Sequence, residues 1–128
     1  MAIQEVLHTD LAPAAVGPYS QAVAAHNLIF TSGQIPIDPK TGKIEADTIE
    51  GQTEQVMHNL KCVLARGGVS FDRVIKTTCF LADMNDFAAF NSVYGKYFPE
   101  GAPARSCVQV AKLPLGAKVE VEVIAVQG

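Results

Sequence analysis

Residues 118–126 read Lys-Val-Glu-Val-Glu-Val-Ile-Ala-Val, and this alternation constrains the fold more than any other stretch. A strand sends successive side chains to opposite faces, so Val119, Val121 and Val123 share one face while Lys118, Glu120 and Glu122 share the other. Carboxylates on a strand usually mark a solvated face. If the strand instead lines a pocket, Glu120 or Glu122 can act as a general acid/base. A second stretch, Pro103-Ala104-Arg105-Ser106-Cys107-Val108-Gln109-Val110, also reads as a short strand, with Arg105, Cys107 and Gln109 on one face. Arginine stays charged and presents a planar fork of donors that suits a carboxylate or a phosphate. Arg105 is therefore either half of a structural ion pair or an anion anchor, and the residues alone leave both open.

The remaining pattern supplies a sheet and two helices. Residues 3–8 suggest an edge strand, and 11–18 a loop punctuated by Pro13, Gly17 and Pro18. Residues 20–25 and 28–32 predict a hairpin turning at His26-Asn27. Residues 33–42 carry Pro36, Asp38-Pro39 and Thr41-Gly42 and read as a turn-rich connection. Ile49, Thr53, Val56, Met57, Leu60, Val63 and Leu64 fall on one helical face, with Asp47 placed to cap the start and Gly67-Gly68 to end it. Residues 74–81 predict a strand. A second helix follows, with Asn85 as N-cap, Asp86 in its first turn and Pro99 as its stop. Phe87, Phe90, Tyr94, Tyr97 and Phe98 form an aromatic stripe on it, which reads as core.

The order β-β-β-α-β-α-β-β predicts one α+β domain over residues 1–128, a sheet with both helices on one face. The opposite, partly apolar face then needs a cover, and a partner subunit is the simplest one. Composition points the same way. The 128 residues are 48% hydrophobic and only 18% charged, against about 25% charged in an average soluble domain. A net charge of −3 and a pI near 5.5 argue against nucleic acid as a partner, since phosphate contacts need clustered cations. Cys62, Cys79 and Cys107 lack metal-ligand spacing and read as free thiols in a reducing compartment. No signal-like start and no apolar run of about 18 residues is present, so the expectation is a soluble, cytoplasmic protein away from membranes.

Chemistry must come from few groups, since phosphate-binding, dinucleotide, zinc-protease and serine-hydrolase motifs are all missing. His8, His26 and His58 are dispersed, and His58 reads as a surface residue. Tyr19 is either a core tyrosine with a tied hydroxyl or a ligand contact. Ser32-Gly33, at a strand end, either makes a turn or offers a hydroxyl and an N–H to an anion. Cys107 has no base nearby in sequence, which favours a passive thiol.

The chain resembles the Rid family, the YjgF-type reactive intermediate imine/enamine deaminases. Matching motifs are Ala14-Ala15-Val16-Gly17-Pro18-Tyr19-Ser20-Gln21-Ala22, Phe30-Thr31-Ser32-Gly33-Gln34-Ile35-Pro36 and Asp38-Pro39-Lys40-Thr41-Gly42. Val74-Ile75-Lys76-Thr77-Thr78, Met84-Asn85-Asp86-Phe87 with Asn91 and Tyr94, Pro103 to Val108, and Val119-Glu120-Val121-Glu122 continue the set. Their joint order and spacing carry the resemblance. It implies a chorismate-mutase-like fold, a homotrimer whose sheets form a central β-barrel, and active sites between subunits. It further implies hydrolysis of 2-aminoacrylate and related 2-imino acids to 2-oxo acids and ammonia, with no cofactor and no metal. By that resemblance Arg105 clamps the substrate carboxylate, Glu120 handles water and protons, and Tyr19 and Ser32 give hydroxyl contacts. Gly33 and Cys107 hold the ligand through their backbones, and Asn91 lies among the substrate-binding residues. Gln109 stands where some relatives carry an acid, which bears on substrate preference. The same Arg105 would equally serve a binding protein for 2-oxo or amino acids without turnover. RNA-acting or chaperone-like roles form a further alternative.

Overall fold

The computed structural model describes all residues, 1–128. Its strands are β1 (Glu5–Leu7), β2 (Ala22–Ala25), β3 (Leu28–Thr31), β4 (Ile37–Asp38), β5 (Lys43–Ile44), β6 (Val74–Leu81), β7 (Ala104–Gln109) and β8 (Val119–Val126). Its α-helices are α1 (Ile49–Arg66) and α2 (Phe87–Tyr94). Six strands make one mixed sheet in the order β1-β2-β3-β8-β6-β7, and β4 and β5 form a separate two-stranded ribbon. Only β6 and β7 run parallel. A parallel pair needs a crossover, and α2 provides it.

The alternation in β8 sets the sidedness. Val119, Val121, Val123 and Ala125 are buried, and their β6 and β3 partners Leu81, Cys79, Thr77 and Ile29 are buried with them. Val56, Met57, Leu60, Val63 and Leu64 of α1 and Phe90 and Tyr94 of α2 complete that same core. Each such aliphatic contributes about 1.5–3 kcal/mol when fully buried, so the two helices cannot leave this face. Register places Val6, Val23, Phe30 and Ile124 in one row on the other face. Nothing in the chain covers that row: Val6 and Phe30 are exposed.

The aromatic stripe is core, as expected. Phe90 and Tyr94 pack at 5.3 Å, Tyr94 and Phe98 at 4.9 Å, and Phe71 meets Tyr97 and Phe98 edge-on. The hairpin turns at His26-Asn27 with φ of 51° and 62°, a type I′ turn that matches strand twist.

Three local expectations are corrected. The cap of α1 is Thr48, not Asp47: the Thr48 hydroxyl accepts the Gly51 N–H at 3.1 Å, while Asp47 lies exposed. Asn85 does not cap α2. A 3₁₀ turn (Met84–Asp86) precedes the helix, and the Asp83 carboxylate accepts the Asn85 N–H at 2.9 Å. Pro99 stops the helical path as expected: α2 tightens into a 3₁₀ turn at Gly95–Tyr97, and Phe98, the residue before the proline, leaves helical geometry at φ −130°. Residues 33–42 hold more order than a loop. Gln34 bridges to Val121 and β4 follows.

Candidate functional site

Arg105 projects from edge strand β7 on the helix-covered side, directly opposite Thr77 of β6. Its Nη1 donates to Asn91 Oδ1 at 2.7 Å. Its guanidinium carbon lies 4.9 Å from the Tyr94 ring centre and 5.3 Å from that of Phe87. The Tyr94 hydroxyl in turn bonds Thr77 Oγ1 at 2.8 Å. No carboxylate pairs with this cation. The Lys or Arg side chain that does meet a carboxylate is Lys96, on Glu54, while His8 contacts Asp10. The structural-ion-pair reading of Arg105 therefore fails, and a partly buried cation with free donors remains.

Cys107 lies two residues on, on the same face and opposite Cys79. Burial pushes its thiol pKa up, and the nearby Arg105 charge only partly offsets this. Such a group stays a thiol near neutrality, consistent with a passive role. Gln109 donates nothing here; its side-chain oxygen accepts the Met84 N–H at 2.7 Å and holds the turn before α2.

A second cluster forms elsewhere. Glu120, half-buried on β8, points away from the helices. Burial raises its carboxyl pKa, and like-charged Glu122 raises it further. Gly33 lies against it so closely that a built Cβ would meet the carboxyl carbon at 2.8 Å. Any side chain at position 33 would displace the Glu120 carboxyl from this position. Ser32 donates its hydroxyl to the Ser20 carbonyl at 2.6 Å, leaving acceptor lone pairs for a ligand.

The core-tyrosine reading of Tyr19 is wrong. The residue is 52% exposed, and its hydroxyl accepts only a long 3.4 Å contact from the Val16 N–H. Tyr19 lines a cavity of about 350 Å³ with Val16, Gly33, Ile35 and Leu115. His58 is a surface residue, as expected.

The predicted residues thus gather in two groups. Arg105, Asn91 and Cys107 stand together beside α2. Tyr19, Ser32, Gly33 and Glu120 stand near the junction of β3 and β8. Residue parity puts Arg105 and Glu120 on opposite faces, with β6 between their strands. Their strands lie about 10 Å apart at ordinary spacing, and Arg105 is level with Val123, so Glu120 is also displaced along the strands. One chain does not bring the two groups together. Thr77, Phe87 and Tyr94 escaped the sequence reading, which placed the aromatics in the core. The signal that could have exposed them is the polar Thr77 among core-facing positions of β6. No three His, Cys, Asp or Glu side chains converge as ligands for a metal ion.

Comparison with known proteins bears on what such a site serves. The chain matches the family model described as Endoribonuclease L-PSP over residues 9–127. It is 52% identical over 122 residues to Reactive Intermediate Deaminase A, chloroplastic, of Arabidopsis thaliana, a match spanning 95% of this chain and 65% of that one. The solved structure of a Yersinia pestis protein of the conserved Rid family superposes with a TM-score of 0.93 at 46% identity, covering 95% and 98% of the two chains. Escherichia coli TdcF, solved with bound serine, superposes with a TM-score of 0.92 at 44% identity, covering 98% and 100%. Matched along nearly its whole length in both sequence and fold, this chain belongs to the Endoribonuclease L-PSP (YjgF/RutC) family, which includes a reactive intermediate deaminase among its members.

Proposed function

We propose that this protein is a 2-iminobutanoate/2-iminopropanoate deaminase, hydrolysing reactive imines and enamines such as 2-aminoacrylate to 2-oxo acids and ammonia. The observation that carries this reading is the Arg105 guanidinium, oriented by Asn91 and two rings yet unmatched by any carboxylate of its own chain. A small substrate carboxylate would match that cation in charge, and the bidentate fork would fix its orientation. The serine bound to TdcF is a small molecule carrying such a carboxylate.

Glu120 supplies the proton handling. Its raised pKa keeps a protonated fraction at higher pH than an ordinary carboxyl, which suits a group that first takes a proton from water and then returns it to the departing nitrogen. An enamine first gains a proton at its terminal carbon and loses one from nitrogen, becoming the imine; water then adds across C=N, and the tetrahedral adduct expels ammonia to leave the 2-oxo acid. Tyr19 and Ser32 orient water and substrate through their hydroxyls, and the Gly33 and Cys107 backbones hold the ligand. Imines hydrolyse in water unaided, so orientation with modest acid–base help suffices, and neither cofactor nor metal is called for.

The two groups meet between copies. Three chains join their uncovered sheet faces into a central barrel of the chorismate-mutase-like type, each site taking Arg105 from one copy and Glu120 from its neighbour. The opposed faces of these residues and the apolar row Val6, Val23, Phe30 and Ile124 support that assembly.

The test is a coupled assay in which an amino-acid oxidase or a dehydratase generates the imino acid. Purified protein should accelerate release of ammonia and 2-oxo acid, and Arg105→Ala should abolish the acceleration. A wild-type protein without effect would sink the proposal. The family description raises RNA cleavage as a rival reading. Cleavage of RNA at physiological salt that persists in Arg105→Ala would favour it, against the net charge of −3.

A further inference from the structure

We propose that Thr77 and Tyr94 are positioning residues, whose buried hydrogen bond holds the ring that sets the pose of the Arg105 fork. The inference rests on the reading that Arg105 receives a substrate carboxylate, and it names what determines how well Arg105 does so.

Thr77 is an oddity in its row. It occupies a core-facing position of β6 whose neighbours in that row are Cys79 and Leu81, and it is fully buried, 0% exposed. A valine has the same shape and would pack there without a hydroxyl to satisfy. The hydroxyl has a specific use. It bonds the Tyr94 hydroxyl at 2.8 Å, and Tyr94 itself is only 6% exposed. The phenolic ring is tied at its far end and packed between Phe90 and Phe98, contacts that oppose rotation about its χ angles.

On that fixed ring lies the Arg105 guanidinium, 4.9 Å from its centre. Phe87 offers a second ring at 5.3 Å and Asn91 takes one N–H. The remaining N–H donors stay free. The chain of contacts closes on itself, because Thr77 is also the register partner of Arg105 across the β6–β7 pair. Strand pairing places the Arg105 backbone, and the Thr77–Tyr94 bond places the surface on which its side chain rests. A long, flexible cation is thereby held near its binding pose before a ligand arrives, which lowers the ordering cost of binding.

The experiment uses Thr77→Val, which keeps shape and loses the hydroxyl, and Tyr94→Phe, which keeps the ring and loses the bond. Both are assayed for imine turnover, and both for binding of 2-oxobutanoate by calorimetry. The expected result is a KM and a Kd raised roughly five-fold, with kcat at saturation within about two-fold of wild type. Thr77→Ser should restore both constants. On an Arg105→Ala background, Thr77→Val should change the residual Kd no further, since the path runs through Arg105. If both variants lower the melting temperature but leave KM and Kd unchanged, the bond is structural only and the inference is overturned. If Thr77→Val fails to fold, Tyr94→Phe alone decides by the same constants. Should wild type bind 2-oxobutanoate through Arg105 without turning over imines, the deaminase reading falls while the positioning role is judged on Kd. A wild type that binds no 2-oxobutanoate overturns the positioning role as well.

Discussion

Arg105 and Glu120 belong to strands separated by one neighbour, yet they project from opposite faces of the sheet. No rotamer of either side chain can carry it through the sheet to the other. If both serve one substrate, they must come from different copies. Arg105→Ala and Glu120→Gln proteins, each inactive alone, should therefore regain activity when unfolded and refolded together. With random mixing, about a quarter of shared sites pair an intact arginine with an intact glutamate, so about a quarter of wild-type activity is expected. Refolded mixtures as dead as the separate variants would exclude a shared site.

Gly33→Ala tests the contact beneath the carboxylate. A Cβ there meets the Glu120 carboxyl group, which has to swing aside. Activity should fall by about ten-fold or more, while stability should change by much less than the roughly 1–3 kcal/mol of core overpacking, because the displaced atoms are the tip of a flexible side chain. Equal loss of kcat in Gly33→Ala and in Glu120→Gln, measured under saturation, would locate the damage at Glu120.

The pH profile has a defined sign. Burial and then Glu122 raise the Glu120 pKa above its ordinary value of 4.5. The acid limb of kcat/KM should therefore lie above 4.5, and Glu122→Gln should move it to lower pH by removing the like charge. Linkage follows the same shift. The native state holds this proton more tightly than the unfolded chain, so the Glu120 contribution to stability is greatest below 4.5 and declines as pH rises through the raised pKa. An acid limb that Glu122→Gln leaves in place would remove Glu120 as the titrating base.

Helix capping gives a test independent of function. Thr48→Ala should destabilise the fold by about 1 kcal/mol, read by denaturant melting, because the Gly51 N–H loses its acceptor. Asp47→Ala should change stability by less than about 0.5 kcal/mol, as expected of an exposed side chain with no capping bond.

Thiol reactivity should divide the cysteines. Cys79 is fully buried, its pKa pushed up to about 12 by desolvation. It should resist a soluble disulfide reagent in native protein and react only after denaturation. Modification of Cys79 in the native state, located by peptide mass mapping, would contradict the packing of β6 and β8.

Periodicity made the architecture legible. Val119, Val121 and Val123 announced a one-sided strand, and the α1 face from Ile49 to Leu64 announced a packed helix; both hold. Caps were less legible, because Asp47 and Thr48 are both good capping types and only backbone geometry chooses between them. The β4–β5 ribbon was missed because two-residue strands carry no period to read. Within the candidate site, Arg105 stood out as a charge in an apolar strand. The Thr77–Tyr94 support did not, since a long-range hydrogen bond between core positions leaves no local pattern. That Arg105 and Glu120 part company follows only from the registers in which β7 and β8 pair with β6, which no local motif encodes.

The central place of β8 has a consequence for biosynthesis. The β1–β2–β3 meander and the β6–α2–β7 crossover each consist of segments close in sequence, so both can take shape while the ribosome is still at work. Neither touches the other within the sheet until β8 slots between β3 and β6. Two half-sheets with open edges must wait for the strand made after all the others, and during that interval they are the surfaces a chaperone would have to shield.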